Sequence, residues 1–212
     1  TMGGRGFGVG MNATSKIDVV FNDLTIENSA NGARCIDTRG NVNSLTLNNV
    51  ILKTDGATSG YTQPLTIGGN QAVAATVNIT NSTIQTNNDG TAYYAIITFN
   101  PVNMTISNST IKGWACIYAK GVDGSAGSAG SVINIDGSTL VSSNAYSGVS
   151  NDFSAFMMED NNVTINVTNS NITINNTGDQ VQSIAGYNSI NLSGNISLGE
   201  GNTVNFAGPN EA

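Results

Sequence analysis

The stretch VNITNSTI at residues 77–84 returns almost unchanged as MTISNSTI at residues 104–111. In both copies apolar and polar residues alternate over four positions, and then Asn, two further residues and an apolar residue follow. Strict alternation predicts a strand with one buried face. Asn tolerates the positive φ that a sharp bend requires. Each copy therefore predicts two short strands joined by a bend.

The pattern occurs seven times in the chain, at intervals of 25 to 32 residues. The other copies are VVFNDLTI at 19–26, LTLNNVIL at 45–52, INIDGSTL at 133–140, INVTNSNI at 165–172 and, one residue short, INLSGNIS at 190–197. Each interval also contains a shorter apolar segment that predicts a middle strand, at 34–36, 64–67, 95–98, 116–118, 155–158 and 183–185. Residues 6–10 resemble this middle strand, so we expect the chain to begin partway around a coil.

A stack of coils explains such a repeat. A helical solenoid is excluded because no apolar stripe with a period of 3.6 residues is present. A sandwich would not place one motif at seven near-regular intervals. We therefore predict an all-β fold, a single-stranded right-handed parallel β-helix of about seven coils and about 34 Å length. Residues 1–212 are expected to form a single β-helix domain, as a fragment of a larger surface protein.

The residue at the predicted bend is Asn, Asp or Gly in successive copies: Asp23, Asn49, Asn81, Asn108, Gly137 and Asn169. Stacked Asn side chains can also hydrogen-bond to one another along the axis as a ladder. This arrangement resembles the asparagine ladder of the pectin-lyase-like right-handed parallel β-helix superfamily, over nearly the whole chain. The resemblance implies the fold and carries almost no functional information.

The alternation also predicts which side chains face inward. Two columns are expected to contain Val19, Phe21, Leu45, Leu47, Val77, Ile79, Met104, Ile106, Ile133, Ile135, Ile165, Val167, Ile190 and Leu192. A third column is expected to contain Ile26, Leu52, Ile84, Ile111, Leu140 and Ile172. The same register places Cys35 and Cys116 three coils apart, about 14 Å from each other. That distance is too long for a disulfide, so we predict two free thiols.

The amino-acid composition excludes some classes of binding partner. Charged residues make up 10% of the chain, asparagine occurs 32 times, and the net charge is −7. All seven basic residues lie within the first 120 positions, and the net charge is negative. Because binding to phosphate groups requires a basic patch, we expect this chain to bind neither nucleic acid nor an anionic membrane surface. No apolar run approaches the roughly 20 residues of a membrane span. Because no leader is visible at the start, any export signal is expected upstream.

Catalytic motifs are lacking. Polygalacturonase-like hydrolases of the superfamily carry clustered carboxylates and a Gly-His-Gly motif, whereas this chain contains no histidine. Pectate-lyase-like enzymes use several Asp residues to hold Ca²⁺, with a basic residue as proton acceptor. Asp-Gly pairs at 55–56, 89–90 and 123–124 favour turns over calcium loops. We therefore predict no catalytic residue, no cofactor and no metal site.

Two groups of residues are candidates for ligand binding. Tyr93, Trp114 and Phe153 precede three successive middle strands, with Tyr61, Tyr94, Tyr118 and Tyr146 nearby. Facing outward, they would form an aromatic strip that fits sugar rings; alternatively, loops cover them or they plug the corners of the coils. The turn after the middle strand carries Asp37, Arg39, Lys120, Glu159 and Asp160, either as an ionic site or as solvated turn residues. The binding residues predicted are Tyr93, Trp114, Tyr118, Phe153, Glu159 and Asp160.

The functional expectation follows from a second resemblance. Few charges, few cysteines and Asn/Thr-rich coils resemble the β-helical repeats of bacterial adhesin-like and autotransporter-like proteins. That resemblance implies a non-catalytic segment at the extracellular bacterial cell surface, either a stalk or a module that binds glycans or host and cell-surface proteins. Flanking domains of the same polypeptide are also expected. The alternatives are a polysaccharide-active lyase or hydrolase on the pectin-lyase-like fold, and a purely structural rod.

Overall fold

The computed structural model of the protein describes residues 4–10, 15–30, 32–38, 41–54, 62–68, 74–86, 94–121, 127–142, 155–174, 181–183, 188–199 and 206–207. Every regular element in these ranges is a β-strand. Eight strands form one sheet, called the middle sheet: β1 (Arg5–Val9), β3 (Arg34–Thr38), β5 (Leu65–Ile67), β8 (Tyr94–Thr98), β11 (Ala115–Ala119), β14 (Phe156–Met158), β17 (Val181–Ser183) and β20 (Phe206–Ala207).

Twelve strands form the second sheet, called the bent sheet because each coil crosses it in two arms. The first arm contains β6 (Ala75–Thr80), β9 (Val102–Ser107), β12 (Val132–Asp136), β15 (Thr164–Thr168) and β18 (Ser189–Ser193). The second arm contains β7 (Thr83–Thr86), β10 (Thr110–Gly113), β13 (Thr139–Ser142), β16 (Asn171–Ile174) and β19 (Ser197–Leu198). The long strands β2 (Ile17–Asn28) and β4 (Val42–Thr54) run through both arms.

All pairings between these strands are parallel, and each strand pairs with its counterpart in the next coil. The molecule is therefore an all-β parallel solenoid, consistent with the predicted right-handed β-helix. It has about five turns rather than the seven predicted. Among the described strands, β2 and β18 pair on one side only, and their apolar side chains stay partly exposed except that of Ile26, which is buried. No helix in the described ranges is long and apolar enough to cross a membrane.

The predicted bends are confirmed. The backbone φ at the six bend residues lies between 49° and 58°: Asp23, Asn49, Asn81, Asn108, Gly137 and Asn169. The Nδ2 of Asn49 donates to Oδ1 of Asp23 at 2.7 Å, which is one step of the expected ladder. A seventh bend follows at Gly194, with φ 69°, where an added Cβ would lie 2.4 Å from Oδ1 of Asn169. A side chain at that bend would therefore require the Asn169 side chain to shift.

The inward columns are confirmed in the inner turns, where their side chains are buried in one apolar core. The third column pairs in the predicted register throughout its six members. The expectation for Leu192 is wrong: it pairs with Val167 as predicted but is 36% exposed, because its strand is outermost among those described. Two further corrections concern the end of the chain. β17 begins at Val181, two residues earlier than predicted, and pairs Ser183 with Met158; Ile184 and Ala185 of the predicted strand lie outside the described residues. Ser197 pairs with Asn171, so the last copy is longer after its bend, not shorter.

A buried serine ladder runs beside the bends, and the sequence pattern did not predict it. Four serines directly follow the bend residue of their coil: Ser82, Ser109, Ser138 and Ser170. Each hydroxyl accepts from the backbone N–H of the equivalent residue one coil earlier, at 3.0 to 3.1 Å. Each also donates to the backbone carbonyl two residues before it, at 2.7 to 2.9 Å. The ladder thus links successive turns without any charged group.

The prediction of free thiols is confirmed, since Cys35 and Cys116 are unpaired and buried. Burial raises the pKa of each thiol to about 12. We expect neither thiol to react with Ellman's reagent at about pH 8 in the native protein, because the thiolate is the reactive form. Both are expected to react once the chain is unfolded in denaturant. Rapid reaction of either native thiol, or a Cys35–Cys116 disulfide in a non-reducing peptide map, would contradict this register.

Candidate functional site

The ends of β11 and β14 bring together three of the polar residues that the sequence singled out. These strands pair in parallel, with Ala119 opposite Met158, so the residues that follow them, Lys120 and Glu159, become neighbours. The Nζ of Lys120 lies 2.9 Å from Oε2 and 3.2 Å from Oε1 of Glu159. The hydroxyl of Tyr118 and the backbone N–H of Gly121 also donate to Glu159. A single carboxylate therefore accepts hydrogen bonds from three different residues.

These contacts shift the titration of the carboxyl group. Burial alone favours its neutral form, but the hydrogen bonds from Tyr118, Lys120 and Gly121 and the charge of Lys120 outweigh that effect. The pKa of Glu159 consequently lies below its usual value of 4.5. A carboxyl group whose pKa is lower in the folded than in the unfolded chain stabilises the fold above the unfolded pKa. That contribution disappears as the pH falls through the folded pKa.

The substitution Glu159→Gln tests this linkage. We expect it to lower the free energy of unfolding at pH 7 by less than about 1 kcal/mol, because the ion pair is partly exposed. The difference from the wild type should shrink as the pH falls below 4.5, since the wild-type carboxyl group then becomes neutral. Urea unfolding at about pH 7 and about pH 3 measures both quantities.

The matched control is Glu27→Gln, because Glu27 forms a looser and more exposed ion pair with Lys53 at 3.5 Å. We expect the control to change the free energy of unfolding by only a few tenths of a kcal/mol. A difference between Glu159→Gln and the wild type that is equally large at neutral and acidic pH would contradict the role given to the ionised carboxylate.

The aromatic ring of Tyr118 belongs to an apolar cluster on the outer face of the middle sheet. Its centroid lies 4.5 Å from that of Tyr94 and 5.6 Å from the Nζ of Lys120. Ile97, Ala115 and Met157 complete the buried cluster. Sequence reasoning missed it because apolar residues on both faces of β8 and β11 hide the alternation that normally separates inside from outside. Tyr118 thus presents its hydroxyl to Glu159 and buries its ring.

The hypothesis of an open aromatic strip needs correction for the described residues. Trp114 is 2% exposed, Tyr94 is 5% exposed and Tyr118 is 7% exposed. Trp114 lies at the corner between β10 and β11, as the alternative interpretation proposed, whereas the two tyrosines lie in the cluster on the outer face of the middle sheet. Tyr93 and Phe153, together with Tyr61, Tyr146 and Arg39, lie outside the described residues. Ligand binding through the predicted residues stays a prediction.

Asp160 does not join Glu159, although the two are adjacent in sequence. Its Oδ2 accepts from the backbone N–H groups of Ser128 and Ala129 at 2.8 and 3.0 Å, and its Oδ1 accepts from Asn161. The side chain thereby fixes the segment 127–131 against the turn after β14. Asp37, also predicted in this group, is fully buried and pairs with Arg34 at 2.8 Å. The four of these turn residues that the structure describes therefore do not form one site, and Arg39 lies outside the described residues.

Within the part of the chain that the structure describes, no cluster of three or more His, Cys, Asp or Glu side chains is arranged to hold a metal ion. Comparisons with protein-family models, with curated proteins and with solved structures return no match for this chain. The likeness to the pectin-lyase-like superfamily therefore rests on the architecture and on the asparagine bends alone.

Proposed function

We propose that this chain is a non-catalytic segment of an extracellular, adhesin-like bacterial surface protein. In this role it is a rod that holds binding surfaces for glycans or for host and cell-surface proteins away from the cell. Membership of the pectin-lyase-like superfamily is part of the same proposal and is supported by the repeated positive-φ bends. The observation that carries the proposal is the serine ladder, because it makes neighbouring turns rigid through uncharged internal hydrogen bonds.

A rod in this position must keep its shape in varying salt and pH. Hydrogen bonds between uncharged groups are not screened by salt, whereas surface ion pairs are. The internal contacts between turns are apolar columns and serine hydroxyls, and both are independent of ionic strength. A scarcity of charged residues, 10% of the chain, fits the same requirement. These properties support a stalk-like or display role.

The acidic residues nearest to a candidate site support the absence of catalysis. A general acid or base must reach the substrate proton that it transfers. Glu159 is held by Tyr118, Lys120 and Gly121, and Asp160 is held by three backbone N–H groups. Both carboxylates therefore have structural partners that a substrate would need to displace.

Two assays on the 212-residue chain separate the proposal from the enzymatic alternative. Binding to a glycan array and to intact cells should be detectable, while release of reducing or unsaturated sugars from polysaccharides should stay at background. Glu159→Gln and Asp160→Asn are expected to leave binding unchanged, because both carboxylates are held by partners within the protein. Sugar release by the wild type that disappears in either variant would replace this proposal with a lyase or hydrolase. Immunolabelling of intact producing cells tests the surface location.

A further inference from the structure

The outer surface of the first arm of the bent sheet is unusually uniform. Seven strands, β2, β4, β6, β9, β12, β15 and β18, each present three outward residues in register. Seventeen of these residues are Ser, Thr or Asn, two are Asp and two are Val. All of them are at least partly exposed, and none is Lys, Arg or Glu. This surface is called the polar face below.

Three amides of the polar face are hydrogen-bonded to one another in a ladder. Asn191 donates to Asn166 at 2.7 Å, and Asn166 donates to Asn134 at 2.8 Å, along the central column. An amide group has two N–H donors and two acceptor positions, so each ladder member keeps hydrogen-bonding capacity for an external partner. The ladder already restricts the rotamers of these side chains. They therefore lose less conformational entropy when a ligand binds.

The spacing of the groups follows from the strands. Neighbouring coils lie about 4.8 Å apart, and alternate residues of one strand lie about 6.6 Å apart. The seven stacked strands of the first arm therefore give an array about 29 Å long and about 13 Å wide. The hydrogen-bond donors and acceptors of the polar face therefore repeat along the axis about every 4.8 Å, a distance comparable with the length of one pyranose ring. Such a lattice fits a rigid ligand whose hydroxyl groups also repeat at regular intervals.

The charge of the polar face indicates the class of that ligand. Its only ionisable groups are Asp18 and Asp136, and both are fixed by neighbouring hydroxyl or amide donors. An anionic polymer would meet no basic residue on the face and would be repelled by these two carboxylates. The charged residues Glu27, Lys53 and Lys112 lie on the second arm, beyond the bend. A neutral ligand rich in hydroxyl groups matches the face best.

We propose that the polar face binds a neutral, extended β-linked polysaccharide that lies along the columns of Asn, Thr and Ser. This inference deepens the proposed function and rests on it. Each contact is weak because hydrogen bonds exchanged with water contribute little individually. Binding therefore depends on many repeated contacts, and long polymers bind far more tightly than short oligosaccharides of the same sugar.

The test measures binding isotherms of the 212-residue chain to amorphous cellulose and to chitin, with polygalacturonate as the anionic polymer. The variant carries Asn134→Ala, Asn166→Ala and Asn191→Ala. A matched control carries Thr83→Ala, Thr110→Ala and Thr139→Ala, which form an equivalent outward column on the second arm. We expect the Asn variant to lose at least about tenfold in affinity and the Thr control to stay within about twofold of the wild type.

Thermal unfolding of each variant verifies that the fold is kept. If the Asn variant is unstable, Asn78→Ala with Thr105→Ala tests the same column. Full affinity in the Asn variants, or equal losses in the Thr control, would overturn the inference. Binding of the wild type to anionic polymers or cells without binding to neutral polymers would also overturn it, yet would leave the proposed function standing. Failure to bind any glycan or cell would overturn the inference and would also contradict the binding part of the proposed function.

Discussion

The substitution Ile106→Asp is expected to lower the free energy of unfolding by more than about 4 kcal/mol, or to prevent folding altogether. Ile106 is fully buried and is stacked between Ile79 and Ile135 in one of the inward columns. The column offers no hydrogen-bond donor to a carboxylate, so the charge would be buried without a partner or would have to be neutralised. Both outcomes cost several kcal/mol.

The control is Thr105→Asp, one residue earlier in the same strand but on the exposed outer side. It introduces the same side chain into the same strand, and we expect it to change stability by less than about 0.5 kcal/mol. Urea unfolding followed by circular dichroism compares the three proteins. Equal losses in both variants, or a stable Ile106→Asp protein, would show that this strand does not alternate as described.

The substitution Ser109→Ala is expected to lower the free energy of unfolding by about 1 to 3 kcal/mol. The Ser109 hydroxyl accepts from the backbone N–H of Ser82 at 3.0 Å, and that N–H is left without this acceptor when the hydroxyl is removed. It also donates to the carbonyl of Ser107 at 2.7 Å, so one side chain supplies two buried hydrogen bonds. Such an effect is large for the removal of a single oxygen atom.

Ser107→Ala is the matched control, since Ser107 lies two residues away and its side chain is on the partly exposed outer side. We expect the control to be within about 0.5 kcal/mol of the wild type. Amide hydrogen exchange adds a local measure: the Ser82 N–H should exchange faster in Ser109→Ala and not in Ser107→Ala. Unchanged exchange at Ser82 would contradict the ladder even if stability fell.

The sequence predicts the repeating part of this molecule well, because two strong local rules act at the same positions. Alternation decides which side chains of a half-buried strand face inward, and left-handed φ values select Asn, Asp or Gly at the bend. Ile106 and Asn108 obey both rules within one copy of the motif, and both were placed correctly. Register then followed from the spacing of equivalent residues.

The serine ladder was not predicted, because Ser82 and Ser109 occupy positions that vary between polar and apolar residues. Leu24 and Val50 hold the same position in earlier coils, so composition alone gives no pattern there. Only the distance to the next coil reveals that a small hydroxyl residue bridges two turns.

The candidate site was predicted in part. The proximity of Lys120 and Glu159 follows from strand pairing, whereas the opposite directions of Glu159 and Asp160 depend on how the segment 127–131 packs. The burial of Tyr94 and Tyr118 could not be predicted from the local sequence pattern either. Both faces of β8 and β11 are apolar and buried, so no alternation distinguishes the core from the second cluster.

The central claim is that successive coils stack in register, so that residues far apart in sequence lie one coil apart in space. Spin labels at Val20 paired in turn with Asn134, Asn166 and Asn191 measure this directly, because all four positions belong to one outward column. The buried native thiols should not take up the label. Pulsed electron paramagnetic resonance should give distances that correspond to backbone separations of about 19, 24 and 29 Å for the pairs with Asn134, Asn166 and Asn191. The distance should therefore increase by about 4.8 Å per coil. Distances that follow the number of intervening residues, or that do not increase along the series, would contradict the stack.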